Sequence, residues 1–258
     1  MSGKVKILIL AGGKGKRMNS ELPKALIQIR GESIIRHLLS SIKTSGVDAR
    51  PTIVVGYGKE MLMKELGNDY EYVIQEEQKG TGHAVMVAET TLKNLPAQAG
   101  KTDHVMILYC DHPFVKPETI KNLIEKHIES EDTITLATVK LPDFEDWRSI
   151  FYENFSRLIR GQDGKIIRDV QFKDADEEEK KITEVNPCYF CFEASWLWSR
   201  LKTLSKNNAQ QEYYLTDLIK IAMGEKERIG SVEIDPREAL GANSKEELAI
   251  LEKFAPEL

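Results

Sequence analysis

The sequence predicts an α/β fold built on a mixed, mostly parallel sheet, with a small β-rich lobe attached. Short apolar runs typical of strands alternate with segments whose apolar residues follow helical spacing, and this alternation repeats through the first half of the chain. Glycine-rich or acidic segments follow these strand-like runs directly. After residue 132 the alternation gives way to strand-like segments joined by short turns, which predicts the lobe.

The first half of the chain is expected to form strand–loop–helix units. Expected strands are residues 5–10, 51–55, 71–75 and 104–109, and expected helices are residues 32–43, 59–66, 83–92 and one that begins near Pro117. Because parallel strands need crossover connections, which are usually helices, this order favours a parallel sheet.

The second half predicts more strands than helices. We expect a strand at 133–139, paired strands within 147–173 around a turn at 161–164, an acidic stretch at 174–181 and a strand at 182–192. Helices at 193–204 and 214–223, a strand at 228–234 and a final helix opened by a capping box at 244–247 follow. These segments predict one domain over 1–258, with 1–139 and 205–258 as core and 140–204 as lobe.

Composition and charge exclude several classes of protein. The chain has 258 residues with 36 basic and 41 acidic side chains, a net charge of −5, and no basic block suggests a nucleic-acid groove. The apolar run at residues 7–11 is too short for a signal peptide or a membrane span, so we expect a cytoplasmic protein with neither nucleic-acid nor membrane partners. The oligomeric state stays open, and a monomer is among the states allowed.

The cysteines indicate no disulfide framework. Cys110, Cys188 and Cys191 form an odd, sparse set. Cys188 and Cys191 have the spacing of half a zinc site, but no second pair exists, and residues three apart on a strand face opposite sides. We expect both to be core or cavity-lining thiols.

The segment from Leu8 to Lys24 has the character of an anion-binding turn. Its strand-like start is followed by glycines at positions 12, 13 and 15 and by basic residues at 14, 16, 17 and 24. Glycine lets the backbone approach an anion closely, so that its N–H groups can face phosphate oxygens. Arg17 adds a bidentate donor, and Lys24 adds a mobile point charge.

Two better-known phosphate loops do not fit the same residues. A P-loop ending at Gly15-Lys16 would need its first glycine at Leu10 and a hydroxyl residue where Arg17 stands. A dinucleotide fingerprint starting at Gly13 would need its third glycine at Met18. An ordinary glycine turn with a solvated basic face stays open as the alternative.

Polar groups follow three of the expected parallel strands. The turn with glycines at positions 12, 13 and 15, called the glycine turn below, follows the end of a strand, and so do the Gly80-Thr81 loop and Asp111. Ligands of open parallel sheets bind beyond such strand ends. Asp111 is a candidate Mg²⁺ ligand, and Asn243 is a neutral second one. A turn cap before Pro113 remains an alternative role for Asp111, and a loop cap for Asn243. We expect His83 and His112 to be structural.

Five segments, in this order and spacing, resemble one family. They are LAGGKGKRMNSELPK, QEEQKGTGHA, LYCDHP, NNAQQEYYLTD and GANS, and together they span nearly the whole chain. The chain resembles the uridylyltransferase domain of the bacterial bifunctional N-acetylglucosamine-1-phosphate uridylyltransferase/glucosamine-1-phosphate acetyltransferase. The first segment marks sugar-nucleotide and cytidylyl transferases broadly, whereas the second and fourth are far more specific.

The resemblance implies a Rossmann-like fold of the nucleotide-diphospho-sugar transferase type, with the β-rich lobe on the sugar side. It implies a Mg²⁺-dependent enzyme that joins UTP to a sugar 1-phosphate, expected to be N-acetylglucosamine 1-phosphate, and releases pyrophosphate. The implied residues are Arg17, Lys24 and Asp111 for catalysis; Leu10, Gly12, Gly13, Lys14, Gln75, Gly80 and Thr81 for the nucleotide; Ser156, Gln171, Asn186 and Thr216 for the sugar phosphate; and Asp111 and Asn243 for Mg²⁺.

Departures from the family pattern lie mainly on the sugar side. Ser156 stands in place of a glycine, Gln171 in place of a glutamate, and Pro187-Cys188 in place of Thr-Gly. The choice of sugar therefore stays open, as do a CTP-dependent alcohol-phosphate transferase and a non-catalytic homologue that binds a nucleotide sugar. Acetyl transfer is not expected, because the sequence stops at Leu258 before any hexapeptide-repeat portion.

Overall fold

The computed structural model describes residues 3–14, 22–94 and 102–255. Its strands are β1 (Val5–Ala11), β2 (Gln28–Ile29), β3 (Glu32–Ser33), β4 (Thr52–Val55), β5 (Glu71–Ile74), β6 (His104–Tyr109), β7 (Ile134–Lys140), β8 (Ser156–Arg160), β9 (Ile166–Val170), β10 (Glu184–Asn186), β11 (Phe190–Glu193) and β12 (Ile229–Glu233). Its α-helices are α1 (Ile34–Ser45), α2 (Lys59–Leu66), α3 (Thr81–Lys93), α4 (Pro117–Glu129), α5 (Ile150–Asn154), α6 (Ala194–Leu201), α7 (Asp217–Gly224) and α8 (Lys245–Phe254).

One large mixed sheet organises the described residues. Its strand order is β5-β4-β1-β6-β11-β7-β10-β8-β9, with β12 beside β7. Pairing is parallel between β5 and β4, β4 and β1, β1 and β6, and β7 and β12, whereas β11 runs antiparallel between β6 and β7. The predicted α/β class with a mixed, mostly parallel sheet is confirmed.

Apolar layers cover both faces of this sheet. Successive strand residues point to opposite faces, so Ile7 and Ile9 of β1 belong to one buried cluster, and Leu8 and Leu10 to the other. Helices α1 and α4 cover the first face, and α3, α6 and α7 cover the second. This packing leaves the carboxyl ends of the parallel strands free to carry polar loops.

The region predicted as paired strands within 147–173 is partly helical. The hairpin β8–β9 with its turn at 161–164 is present, but Asp146–Ser149 is a 3₁₀ helix and α5 follows it. The reason is tertiary: the buried Arg157 guanidinium lies 4.8 Å from the ring centroid of Phe144 and 5.5 Å from that of Tyr152. It also donates to the carbonyls of Tyr152 and Phe155. These contacts draw the aromatic residues inward around one cation.

The strand predicted at 182–192 is two strands. Pro187 has no N–H to donate, and Cys188 has a left-handed φ of 65°, so pairing stops between β10 and β11. Within the main sheet, β11 lies between β6 and β7, whereas β10 lies on the other side of β7, between β7 and β8. Helix α6 packs against β11, so residues 190–201 of the predicted lobe lie with the main sheet, and the division into core and lobe stays a prediction.

Several element ends differ from the expected ones. Helix α3 begins at Thr81 rather than residue 83, α6 ends at Leu201, and α7 begins at Asp217. Among the residues that the structure describes, no helix combines the length and apolar character needed to cross a membrane. All three cysteines are free thiols, as expected.

Candidate active site

A cavity of about 280 Å³ lies at the carboxyl ends of the parallel strands. Eight of the residues predicted to bind nucleotide or to act in catalysis line it: Leu10, Gly12, Gly13, Lys24, Gln75, Gly80, Thr81 and Asp111. Lys14 is exposed, with its ammonium 5.1 Å from the centroid of the Tyr57 ring. Gly15, Lys16 and Arg17 lie outside the described residues, so the role of Arg17 stays a prediction.

Close backbone contacts set the shape of the glycine turn. The carbonyl of Gly12 accepts a 3.3 Å hydrogen bond from Tyr57 N–H. A Cβ on Gly56 would lie 2.7 Å from that carbonyl oxygen, and a Cβ on Gly12 would lie 2.8 Å from Gln75 Oε1. The turn therefore sits against its neighbours without space for side chains at these two positions.

Lys24 is held between two candidate metal ligands. Its ammonium forms an ion pair with the Asp111 carboxylate and donates a 2.6 Å hydrogen bond to Asn243 Oδ1. The side chains of Lys24 and Asp111 are only 12% and 15% exposed. Pro23 packs so closely on Gly58 that a Cβ there would lie 2.2 Å from Pro23 Cγ, and this contact fixes where the lysine leaves the backbone.

Asn243 is oriented by Glu247. Both Asn243 N–H and Nδ2–H donate to Glu247 Oε2, at 2.8 Å and 2.9 Å, which turns Oδ1 towards Lys24. Ser244 Oγ accepts from the N–H of Glu247, as the predicted capping box requires, and the Glu247 carboxylate accepts from Asn243 and from Asn154 Nδ2. Ala242 N–H donates to the carbonyl of Asp111 at 3.1 Å, so the two loops are joined.

The electrostatics of this cluster keep Asp111 ionised. Burial acts to raise the pKa of Asp111, but the charge and hydrogen bond of Lys24 outweigh it and hold that pKa well below its usual range. The pKa of the neighbouring His112 is lowered by burial, so its imidazole is neutral near pH 7. His112 Nδ1 lies 2.6 Å from the Tyr189 hydroxyl, which donates to the carbonyl of Glu238, a structural arrangement.

The donor set fits Mg²⁺. Asp111 and Asn243 supply the hard oxygen donors that this ion prefers, and one cation, the ammonium of Lys24, already contacts both. Among the described residues no cluster of three or more His, Cys, Asp and Glu side chains could hold a metal. A Mg²⁺ ion here would take its other ligands from water and substrate phosphates, which is its usual behaviour.

Gln75 presents a hydrogen-bond acceptor next to the glycine turn. Its Nε2 lies 3.3 Å from the carbonyl of Gly80 and 3.1 Å from His83 Nδ1. A carbonyl can only accept, so the amide nitrogen must face Gly80, and Oε1 is left facing Gly12. Burial lowers the pKa of His83, which favours a neutral ring whose Nδ1 accepts from Gln75.

The two most specific sequence segments pack against each other. Gly82 N–H donates to the carbonyl of Tyr213, and Tyr213 N–H donates to that of Lys79. Leu215 N–H donates to Thr81 Oγ1 at 3.1 Å. A Cβ on Gly80 would lie 2.6 Å from the Tyr213 oxygen, so this glycine is needed for the contact.

The residues predicted to bind the sugar phosphate lie in two pairs, and none of them lines the cavity that holds Lys24 and Asp111. Ser156 pairs with Asn186 across β8 and β10, and Gln171 Nε2 donates to Thr216 Oγ1 at 3.1 Å. The Asn186 amide nitrogen donates to Asp169 at 2.6 Å. Asp169 was not singled out from the sequence, because a lone acid on an exposed-looking hairpin carries no distinct signal.

The cavity has other lining residues that the sequence did not single out. They are Gln78, Ala84, Tyr109, Cys110 and Glu212. The position of Tyr109, at the end of β6 opposite Leu10, could have been inferred from the strand register. Gln78 and Glu212 belong to the two specific segments, but nothing in their residue types distinguishes them from solvated loop residues.

Comparisons with known proteins identify relatives over most of the chain. Residues 7–215 match the family described as the MobA-like NTP transferase domain. The chain is 37% identical over 246 residues to the bifunctional protein GlmU of Streptococcus pyogenes serotype M3, covering 95% of the chain and 50% of that protein. It is 38% identical over 250 residues to the GlmU of Clostridium botulinum, covering 96% and 51%.

These matches confirm the resemblance seen in the motifs. The chain spans about half the length of these relatives. The fold also matches a solved structure assigned as a glucose-1-phosphate thymidylyltransferase from Bacillus anthracis in complex with sucrose, with a TM-score of 0.73 and 17% identity. That match covers 98% of this chain and 96% of the other, and it confirms the predicted nucleotide-diphospho-sugar transferase fold.

Proposed function

Because the chain belongs to the family of MobA-like NTP transferase domains, we propose that it transfers the uridylyl group of UTP to a sugar 1-phosphate. N-Acetylglucosamine 1-phosphate is the first substrate to test. An oxygen of the sugar phosphate forms a bond to the α-phosphorus, and the bond from that phosphorus to the bridging oxygen breaks. The products are a UDP-sugar and pyrophosphate, which carries away the electron pair.

The observation that carries the proposal is the Lys24–Asp111–Asn243 cluster beside the cavity. Two polyanions repel each other, so an enzyme that joins them needs fixed cations and backbone donors more than it needs a base. Lys24 supplies one such cation in a largely buried setting. Mg²⁺ held by Asp111 and Asn243 would neutralise phosphate charge when bound.

The nucleophile is the substrate itself. A sugar phosphate is already ionised at pH 7, so no protein group has to remove a proton. Burial and the charge of Asp111 raise the pKa of the cavity-lining Cys110 to about 12, and burial raises the pKa of Tyr109 well above its usual value. Neither group is ionised near neutral pH, which favours direct attack by the sugar phosphate over a covalent uridylyl-enzyme.

The orientation of Gln75 supports uracil as the base. Its Oε1 accepts hydrogen bonds, and uracil has an N3–H donor where cytosine has an acceptor. A site that hydrogen-bonds one base edge rejects the other strongly, because the wrong base leaves buried polar groups unpaired. Gly80 and Thr81 lie next to Gln75 in the cavity and would complete the contacts to the base.

A panel of nucleotides and sugar 1-phosphates, followed by pyrophosphate release with Mg²⁺, tests the proposal. UTP with an N-acetylhexosamine 1-phosphate should release pyrophosphate, and EDTA should abolish release. Release with CTP or with another sugar only would correct the substrate. Calorimetric binding of a UDP-sugar without pyrophosphate from any pairing would identify a non-catalytic homologue instead.

A further inference from the structure

Helix α8 begins beside the candidate metal ligands, and its first turn carries a buried carboxylate. Glu247 is only 5% exposed, although Lys245 and Glu246 in the same turn are exposed. A charged side chain is seldom buried to this extent unless its polar atoms are paired. The hydrogen bonds of Glu247 therefore indicate what its burial serves.

Both carboxylate oxygens of Glu247 accept hydrogen bonds. Oε2 accepts two from Asn243, from the backbone N–H at 2.8 Å and from Nδ2 at 2.9 Å. Oε1 accepts a 3.1 Å hydrogen bond from Asn154 Nδ2 at the end of α5, which also donates to the carbonyl of Ile150. The carboxylate thus joins the loop that carries Asn243 to the helical turn that precedes β8.

The two ends of the Asn243 amide face different partners. Nδ2 faces an acceptor, Glu247, and Oδ1 faces a donor, the ammonium of Lys24, at 2.6 Å. A rotated amide would place oxygen against the carboxylate and nitrogen against the ammonium, so both hydrogen bonds would be lost. Gly241 leaves little room beside the amide, since a Cβ there would lie 3.1 Å from Asn243 Nδ2.

Of these two partners, only Glu247 is independent of the substrates. The Lys24 ammonium contacts the same Oδ1 that would bind a divalent cation, and it is proposed to face substrate phosphates. Glu247 bonds the opposite end of the amide and is buried away from the cavity contacts. An amide nitrogen cannot bind a cation, so the site needs a partner that keeps the oxygen facing it.

We propose that Glu247 is a positioning residue. It holds the Asn243 carbonyl oxygen towards the cavity and thereby sets the affinity of the site for a divalent cation, while Asn154 holds Glu247. The inference rests on the metal site of the proposed function and deepens it. An acidic residue in the first turn of a helix also stabilises that helix, but the exposed Glu246 already supplies such a charge to the same turn.

The affinity for UTP, measured by calorimetry with and without Mg²⁺, tests the proposal without requiring turnover. The ratio of the two dissociation constants reports what the cation contributes to binding. Glu247→Ala should lower this ratio roughly tenfold, because the Asn243 amide loses the acceptor that fixes it. Glu246→Ala is the matched control, since it removes the same charge from the same turn, and it should change the ratio less than about twofold.

An exchange of donor and acceptor separates positioning from packing. In Glu247→Gln the side chain keeps its size, but its amide nitrogen and Asn154 Nδ2 are both donors, which draws the new carbonyl towards Asn154 and away from Asn243. Adding Asn154→Asp gives that nitrogen an acceptor, returns the carbonyl to Asn243 and restores the net charge. The ratio should fall roughly threefold or more in the single variant and recover to within about twofold of wild type in the double variant.

The outcomes are distinguishable. If Mg²⁺ strengthens UTP binding to wild type and equally to Glu247→Ala, or if the double variant shows no recovery, the role of Glu247 is wrong and the proposed function stands. Should Glu247→Ala fail to fold, the comparison of Glu247→Gln with the double variant decides by itself.

Failure of the proposed function has a different signature. If Mg²⁺ strengthens UTP binding through Glu247 as expected but no sugar 1-phosphate yields pyrophosphate, the reaction is wrong and the positioning role remains. If the affinity of wild type for UTP does not respond to Mg²⁺, the metal ligands are wrongly assigned, and the inference fails with them.

Discussion

Replacing Lys24 by alanine tests the charge arrangement at the cavity. The change removes a cation that touches both Asp111 and Asn243 and lies beside the proposed phosphate site. Removing one preorganised electrostatic donor costs roughly 3 kcal/mol of barrier, which is about a hundredfold in kcat. The negative charge that develops as pyrophosphate departs would then lack its fixed counter-charge.

The same variant has a second effect on the free protein. Removing one partner of a largely buried ion pair costs roughly 3–5 kcal/mol of unfolding free energy, because the carboxylate of Asp111 stays buried alone. Since the Lys24 charge lowers the pKa of Asp111, the pKa should rise in the variant. Mg²⁺ bound by Asp111 would replace the missing counter-charge. It should therefore raise the melting temperature of Lys24→Ala more than that of wild type.

The assay is pyrophosphate release at saturating substrates, with thermal unfolding measured in parallel. Lys93→Ala is the matched control, because Lys93 is half-exposed and pairs with Glu89 on the surface of α3. That control should change kcat by less than about twofold, since surface pairs contribute about 0–1 kcal/mol. A loss of less than threefold in Lys24→Ala would refute the role given to the lysine.

Three further predictions concern the groups around that lysine. Asp111→Asn should shift the magnesium dependence of turnover to higher concentration, and an unchanged titration would contradict its role as a ligand. His83→Ala should reduce the preference for UTP over CTP by roughly tenfold, because the side-chain amide of Gln75, which is proposed to contact the base, loses one partner. An equal ratio of UTP to CTP activity in the variant and in wild type would rule this out. Gly58→Ala should lower both stability and kcat, because the new Cβ would clash with Pro23. Gly46→Ala is the control: its φ of 69° is close to the 67° of Gly58, but there is open space around it, so this variant should lower stability alone. Equal kcat values for these two glycine variants would show that the contact does not position the lysine.

The sequence was sufficient to predict that polar loops meet at one edge of the sheet. Parallel strands present their carboxyl ends together, so Asp111 and the glycine turn had to approach each other once the strands were recognised. Asn243 was harder, because it lies 219 residues from Lys24 in the chain. Its inclusion depended on the family resemblance, since an asparagine before a helix is ordinarily a cap.

Other features depend on packing that no local pattern reveals. The helical turns at 146–154 form around the buried Arg157, whose guanidinium attracts three aromatic rings that otherwise favour strands. The orientation of the Gln75 amide is decided by the carbonyl of Gly80, whose position follows from its contact with Tyr213. Tertiary contacts therefore override intrinsic preference at both places.

The sugar side shows the same dependence on tertiary structure. Pro187 and Cys188 were noted as departures, but the break they make between β10 and β11 required the sheet pairing. The contact of Asp169 with Asn186 likewise depends on the cross-strand register. Period-two alternation fixes a face within one strand, whereas contacts across strands need the register between them.

The most direct test of the central claim is exchange of labelled pyrophosphate into UTP. The cavity is proposed to hold two anionic substrates together for direct attack, without a covalent uridylyl-enzyme. Exchange should therefore be absent with UTP and Mg²⁺ alone and should begin when a sugar 1-phosphate is added. Exchange with UTP alone, at the same rate with or without the sugar phosphate, would contradict the account.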